Sequence, residues 1–119
     1  MIEHKYGKII NISSGSVRII FVSISGYTIA KCALEIFTKQ LAKTVIGNGI
    51  NVNCVSAGWS LTNFIKGDKE AIKNAYLPGT PVGRGTEPDD IAYAVAFFAS
   101  DISGDILGAV LDVAGGSTI

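Results

Sequence analysis

Three residues of this chain have the types and spacing of a site that moves protons. Tyr27 and Lys31 stand four apart in ISGYTIAK, and Ser14 lies thirteen positions before the tyrosine. On a helix, residues i and i+4 share one face, a single turn apart. A phenol ordinarily keeps its proton until about pH 10, which makes it a poor acid–base group at neutrality. A neighbouring ammonium favours the phenolate and brings the phenol into a usable range. A serine hydroxyl from another segment would then hold a carbonyl or alcohol oxygen against the phenol. The same spacing also fits an ordinary surface pair on a helix, so its meaning depends on the elements that carry it.

Those elements belong to a chain of 119 residues, a length that suits one domain with a single core. Hydrophobic residues make up 48%, charged residues 17%, and ten basic side chains balance ten acidic ones. This is a globular composition, without the basic footprint of a nucleic-acid binder or a polybasic membrane anchor. Apolar runs such as Ile19 to Ile24 are too short to span a bilayer. The opening MIEHKYGK lacks the apolar centre of a secretory signal. Cys32 and Cys54 fall in apolar settings and read as buried, reduced thiols, and His4 as a solvated side chain. The expectation is a cytoplasmic protein with no nucleic-acid or membrane partner.

Lys8 to Ser13 is a β-branched run ending in small polar residues, a buried strand opening into a loop. Ser14 to Ser25 reads as a loop, although its centre, IIFVSI, also fits a strand. From Gly26 to Ile46 the apolar positions Ile29, Ala33, Ile36, Phe37, Leu41 and Val45 keep helical spacing. Gly47-Asn48-Gly49 stops that helix, and Ile50 to Val55 forms a second strand. Ser56 to Gly67 is the next strand-to-loop junction, and Asp68 to Tyr76 a short helix. Thr86 is expected to cap a helix reaching Ser100, with Pro88 in its first turn and Asp89 at its third position. The Asp89–Asp90 pair then complements the helix dipole and is no metal site. Gly108 to Val113 is the last strand. The order β-α-β-α-β predicts half of a doubly wound α/β sheet, whose ligands gather beyond the strand C-termini. Ser13–Ser14 and Ala57–Gly58 both sit there.

INISS, YTIAK, INVNCVSAGWSLT, a GR-x-x-x-P-x-x-I-A helix and a closing V-x-GG together resemble the short-chain dehydrogenase/reductase family, over about Gly7 to Gly116. The resemblance implies the C-terminal half of a doubly wound parallel Rossmann-like sheet and an NAD- or NADP-dependent interconversion of an alcohol and a ketone or aldehyde. It makes Tyr27 the acid–base, Lys31 its partner and a ligand of the nicotinamide ribose, and Ser14 the holder of the substrate oxygen. Tyr27, Lys31, Ala57, Gly58, Ser60 and Thr62 would border the nicotinamide end of the cofactor, and Ser16 to Ile24 the substrate. Ala57 replaces the family's usual proline before Gly58, which implies a looser turn. Ser60 and Ala114 also depart from the family pattern, where a branched aliphatic residue and an aspartate are usual.

Family members run to about 250 residues as one domain. No glycine-rich dinucleotide motif occurs in this sequence, nor the Asn-Asn-Ala-Gly element or the asparagine of the family's catalytic tetrad. The chain therefore reads as a partial domain, residues 1–119, lacking the N-terminal dinucleotide-binding half. Two expectations stand side by side: an oxidoreductase, or a catalytically inactive fragment that folds by self-association or complementation. By resemblance, the helix face bearing Ala33, Phe37 and Leu41 and the last strand would join copies into a dimer or tetramer.

Overall fold

The computed structural model describes residues 1–19, 22–60, 62 and 67–119. Positions 20 and 21 of the expected substrate loop, and positions 61 and 63–66 of the junction after the second strand, lie outside the described residues.

Two eight-residue strands form the centre: β1 (Gly7–Ser14) and β2 (Ile50–Ala57). They pair in parallel without a slip, from Gly7 opposite Ile50 to Ser14 opposite Ala57. β3 (Val110–Val113) adds a third parallel strand on the far side of β2, so the order is β1-β2-β3. Both long strands run further than the sequence pattern predicts, whereas β3 begins two residues later than expected. Asn53 accounts for that late start. Its Oδ1 accepts the Ala109 N–H at 3.0 Å and its Nδ2 donates to the Ile106 carbonyl at 2.8 Å, so this side chain takes one bond of a ladder that the backbone continues through Gly108 N–H to Val52 and Cys54 N–H to Ala109.

Successive strand residues point to opposite faces, and both faces are covered. The helix α1 (Ser25–Val45) lies on one, packing Leu41, Ala42 and Val45 against Ile9, Ile50 and Val52. On the other lies α3 (Pro88–Ala99), whose Ile91, Ala94, Val95 and Phe98 meet Ile10, Val55, Ala109 and Val113. Between β2 and α3 the crossover carries a short helix, α2 (Lys69–Tyr76), capped by Asp68 Oδ1 accepting from the backbone N–H groups of Glu70 and Ala71. The result is the three-layer α/β arrangement that the sequence order predicts. No described helix is long and apolar enough to cross a membrane. Among the described residues no group of three or more His, Cys, Asp or Glu side chains is placed to hold a metal ion.

Three local expectations need correction. Cys54 is buried, but Cys32 is exposed, because it lies on the face of α1 turned away from the sheet. Of the six apolar residues that mark α1, only Leu41 and Val45 join the core. Ile29, Ile36 and Phe37 are 68%, 51% and 50% exposed, and the residues buried on α1 are Glu35, Thr38 and Ala42. The sheet meets α1 through polar contacts, including Asn11 Nδ2 donating to Thr38 Oγ1 at 2.9 Å, so hydropathy alone misplaces the inner face. At α3 the cap is Glu87 rather than Thr86. The Thr86 hydroxyl is spent on the Val113 carbonyl, and Asp90 at the third position accepts from the Glu87 N–H at 2.9 Å.

Phe98 is 2% exposed near the C-terminal end of α3. Phe98→Ala should lower unfolding free energy by about 3–5 kcal/mol, read from urea transitions. The Arg84 guanidinium and the Glu87 N–H hold the Asp90 carboxyl down at about 2, below its ordinary 3.8. A carboxyl lowered on folding stabilises above its unfolded value and stops doing so as the pH falls through its folded one. Acidification from pH 4 toward 2 should therefore loosen the start of α3, and Asp90→Asn should flatten that part of the stability profile.

Candidate functional site

Parallel pairing brings the strand C-termini into one row. Ser14 stands opposite Ala57, and Ala57 opposite Val113. Ser14 is extended, and its Oγ accepts from the Ser16 N–H at 3.2 Å, capping the 3-10 turn Gly15–Val17 that leads the chain off the sheet. The acceptor side of Ser14 is thus partly used, and its O–H remains able to donate.

Tyr27 and Lys31 lie in the first two turns of α1, on one face as the spacing predicts. Lys31 Nζ sits 5.7 Å from the centre of the Tyr27 ring. The same nitrogen donates to the Ile12 carbonyl at 2.7 Å, and Ser13 Oγ donates to the Lys31 carbonyl at 3.3 Å. These two bonds stitch the start of α1 to the last residues of β1, next to Ser14. Tyr27 is 40% exposed, so its hydroxyl is open to a ligand. Two buried hydroxyls near this corner have no partner among the described residues, Ser16 Oγ beside Ser14 and Thr28 Oγ1 beside Tyr27. Nothing in the sequence distinguishes them from other serines and threonines.

The loop after β2 completes the edge. Gly58 N–H donates to the Val113 carbonyl at 2.8 Å, and the Trp59 carbonyl accepts from Thr86 N–H at 2.9 Å. Trp59 Nε1 donates to Thr80 Oγ1 at 2.7 Å, and its ring centre lies 5.6 Å from that of Tyr76. The slack expected from Ala57 in place of proline is therefore taken up by the residues that follow it. Ser60 and Thr62 are half-buried beyond this anchor, with Thr62 N–H donating to the Ser60 carbonyl at 2.9 Å.

One side chain that sequence reading passed over links these parts. Arg18, just past the turn after Ser14, meets Glu35 of α1 through two contacts, Nη1–Oε1 at 3.0 Å and Nη2–Oε2 at 3.1 Å. It also meets Ser56 Oγ of β2 at 3.3 Å and, through Nε, Asp112 of β3 at 2.9 Å. Glu35 and Asp112 hold the guanidinium above its ordinary range, with the Glu35 hydrogen bond the larger cause. A lone arginine in a loop carries no periodic signal, so only the fold reveals it.

A surface depression of about 300 Å³ lies elsewhere, among Arg84–Thr86, Tyr93 and the end of β3. A second of about 280 Å³ lies between the end of α1 and Leu107–Gly108. Neither is lined by Ser14, Tyr27, Lys31, Gly58, Ser60 or Thr62. In this chain the predicted residues form an open ledge at the sheet edge.

Gly58 tests how tightly that ledge is built. A Cβ there would lie 2.5 Å from Thr86 Oγ1 and 2.7 Å from Ala114 Cα. Gly58→Ala should destabilise the fold by about 1–3 kcal/mol in urea titrations, since overpacking forces both neighbours to move.

The family model described as enoyl-(acyl carrier protein) reductase matches residues 1–118. The chain is 40% identical over 122 residues to the 3-oxoacyl-(acyl-carrier-protein) reductase FabG of Chlamydia trachomatis, covering 98% of this chain and 47% of that protein. It is 37% identical over 116 residues to the acetoacetyl-CoA reductase of Allochromatium vinosum, with the same coverage, 98% and 47%. Among solved structures it superposes on a gluconate 5-dehydrogenase from Burkholderia cenocepacia in complex with NADP and tartrate. The TM-score there is 0.91, at 31% identity, over 98% of this chain and 47% of the other. An actinorhodin polyketide ketoreductase with NADPH matches with a TM-score of 0.88 at 26% identity, over 99% and 49%. The chain thus spans about half the length of the curated relatives it matches. Its sequence match over residues 1–118 and its parallel α/β architecture agree, and the chain belongs to the short-chain dehydrogenase/reductase family.

Proposed function

We propose that this chain carries the proton-handling side of an NAD(P)-dependent oxidoreductase that interconverts an alcohol and a ketone or aldehyde. The observation that carries the reading is the Tyr27–Lys31 pair at the end of β1, held there by the bond from Lys31 Nζ to the Ile12 carbonyl. Tyr27 is placed to exchange a proton with a substrate oxygen, and the Ser14 O–H to donate a hydrogen bond to that oxygen. The Lys31 ammonium, 5.7 Å from the centre of the phenol ring, faces the negative charge that would develop on the oxygen during the exchange. Relatives named as reductases of oxoacyl and acetoacetyl substrates support a carbonyl-bearing small molecule.

The residues present fit the nicotinamide end of a dinucleotide. Tyr27 and Lys31 would hold its ribose hydroxyls, Ala57 and Gly58 would border the ring, and Ser60 and Thr62 would meet the carboxamide. The unpartnered hydroxyls of Ser16 and Thr28 mark this corner as one that still has polar groups to satisfy. When bound, the cofactor supplies or accepts the hydride. The sequence holds no glycine-rich phosphate cradle, so the remainder of the dinucleotide would have to be held by other protein.

A second reading has its own support. Among the described residues β1 pairs with β2 alone, leaving one edge of an eight-residue strand open. On this reading the chain acts only after another polypeptide, or a second copy, covers that edge. The stripe of Ile29, Ile36 and Phe37 on α1 supports self-association into a dimer or tetramer.

Titration of the purified chain with NADH and NADPH, followed by nicotinamide fluorescence, separates the two. Saturation at about micromolar cofactor (near −8 kcal/mol of binding) supports activity of the chain alone. No signal up to about millimolar cofactor (near −4 kcal/mol) supports the dependent fragment. Wherever turnover is found, Tyr27→Phe should reduce kcat by about 10²–10⁴-fold with an unchanged far-ultraviolet spectrum. Full turnover by that variant would remove Tyr27 from the mechanism.

A further inference from the structure

Glu35 is a buried carboxylate on the same helical face as the proposed catalytic pair, eight residues after Tyr27 and four after Lys31. Its side chain is only 10% exposed, and the partner that neutralises it is Arg18. A carboxylate removed from water and left without a cation is among the costliest arrangements in a folded protein. A carboxylate at i+4 also lies one turn from the lysine on the same helix face, within reach of its ammonium. Lys31 is therefore exposed to capture by its own neighbour, and Arg18 stands in the way.

Glu35 and Lys31 stand one helical turn apart, and both charges act on the Cys54 thiol beneath α1. Burial raises it, Glu35 raises it further, and Lys31 lowers it. Arg18, Glu35, Lys31 and Asp112 are thus the charged groups around this face of α1. Lys39, the other lysine four residues from Glu35, has its stem against Gly108, at the distant end of the helix contact. Lys31, in contrast, donates an N–H to the Ile12 carbonyl and lies beside the Tyr27 ring.

We propose that Arg18 is a positioning residue for Lys31: by holding the Glu35 carboxylate through two contacts, it keeps that carboxylate from drawing the lysine away from Tyr27. The catalytic meaning of that position rests on the oxidoreductase reading above, but the position itself does not. The proposal differs from a plain structural brace. A brace predicts that removing Glu35 harms the site as much as removing Arg18. A guard predicts that removing Glu35 makes Arg18 dispensable for Lys31.

The decisive measurement is the acetylation rate of Lys31 in the whole chain, using limiting acetic anhydride and site-resolved mass spectrometry. An amine drawn into an ion pair stays protonated and reacts more slowly. Arg18→Met should slow Lys31 by about threefold or more, and Arg18→Met with Glu35→Gln should restore the parent rate. Glu35→Gln alone should leave Lys31 unchanged. The proposal is overturned if Arg18→Met leaves Lys31 unaltered, if only Lys39 slows, or if the double variant stays as slow as the single one. Should Arg18→Met lose the parent circular dichroism spectrum, Arg18→Gln with and without Glu35→Gln gives the same two readings. Where turnover is measurable, kcat should fall by about tenfold in Arg18→Met with the cofactor KM held within about twofold, and recover in the double variant. A chain with no turnover at all counts against the oxidoreductase reading, while the labelling rates still decide the role of Arg18.

Discussion

The parallel register of β1 on β2 is the constraint from which the rest of this structure follows. Eight consecutive pairs put Ser14 beside Ala57, and the short pairing of β3 adds Val113 to the same row. A slip of one residue would send Ile9 and Ile10 to the wrong faces and empty both cores at once. It would also part the serine from the loop that begins at Gly58. Core and ledge therefore depend on one alignment, and neither can change register without the other.

Given that register, α1 has to start where β1 ends, because the chain between them must climb off the sheet and return over it. The polar contacts at that start are unusual for a helix on a sheet. Lys31 bonds the Ile12 carbonyl, Ser13 bonds the Lys31 carbonyl, and Thr38 receives the Asn11 amide further along. Directional bonds of this kind fix the rotation of the helix about its own axis, which apolar packing leaves loosely defined. Tyr27 and Lys31 are then aimed by the hydrogen bonds, while Leu41, Ala42 and Val45 supply the burial. Energy and aim come from different parts of the same helix.

The architecture was legible because strand alternation, helix stops and small residues at strand ends are short-range signals. Glycine at position 49, with φ of +69°, ends the segment after α1 where the Gly-Asn-Gly run says it should. The Tyr27–Lys31 pairing was legible for a similar reason, since i and i+4 on a helix need no knowledge of the fold. Residues whose role is set by distant partners were not. Glu35 looks like an ordinary surface acid until Arg18 is brought over it from seventeen positions away. Thr86 looks like a helix cap until the Val113 carbonyl claims its hydroxyl. Cys32 and the Ile29–Phe37 stripe read as apolar, and local patterning cannot say that the sheet would prefer Glu35, Thr38 and Ala42 instead.

That preference has a consequence for how a half-length chain holds together. The helix covers its sheet with Leu41, Ala42 and Val45 at one end and with polar residues elsewhere, while isoleucine and phenylalanine face outward. Its apolar outer face gains more when another surface covers it. The open edge of β1 gives the same answer on a different element, since unpaired strand groups are satisfied best by a further strand. Among the described residues neither surface is covered. On the proposed reading, a surface laid over the ledge would remove water from around Tyr27 and strengthen every charge interaction there. The polar contacts that aim Tyr27 and Lys31 are already made within the chain, and on the proposed reading enclosure of the ledge is what would let them act strongly.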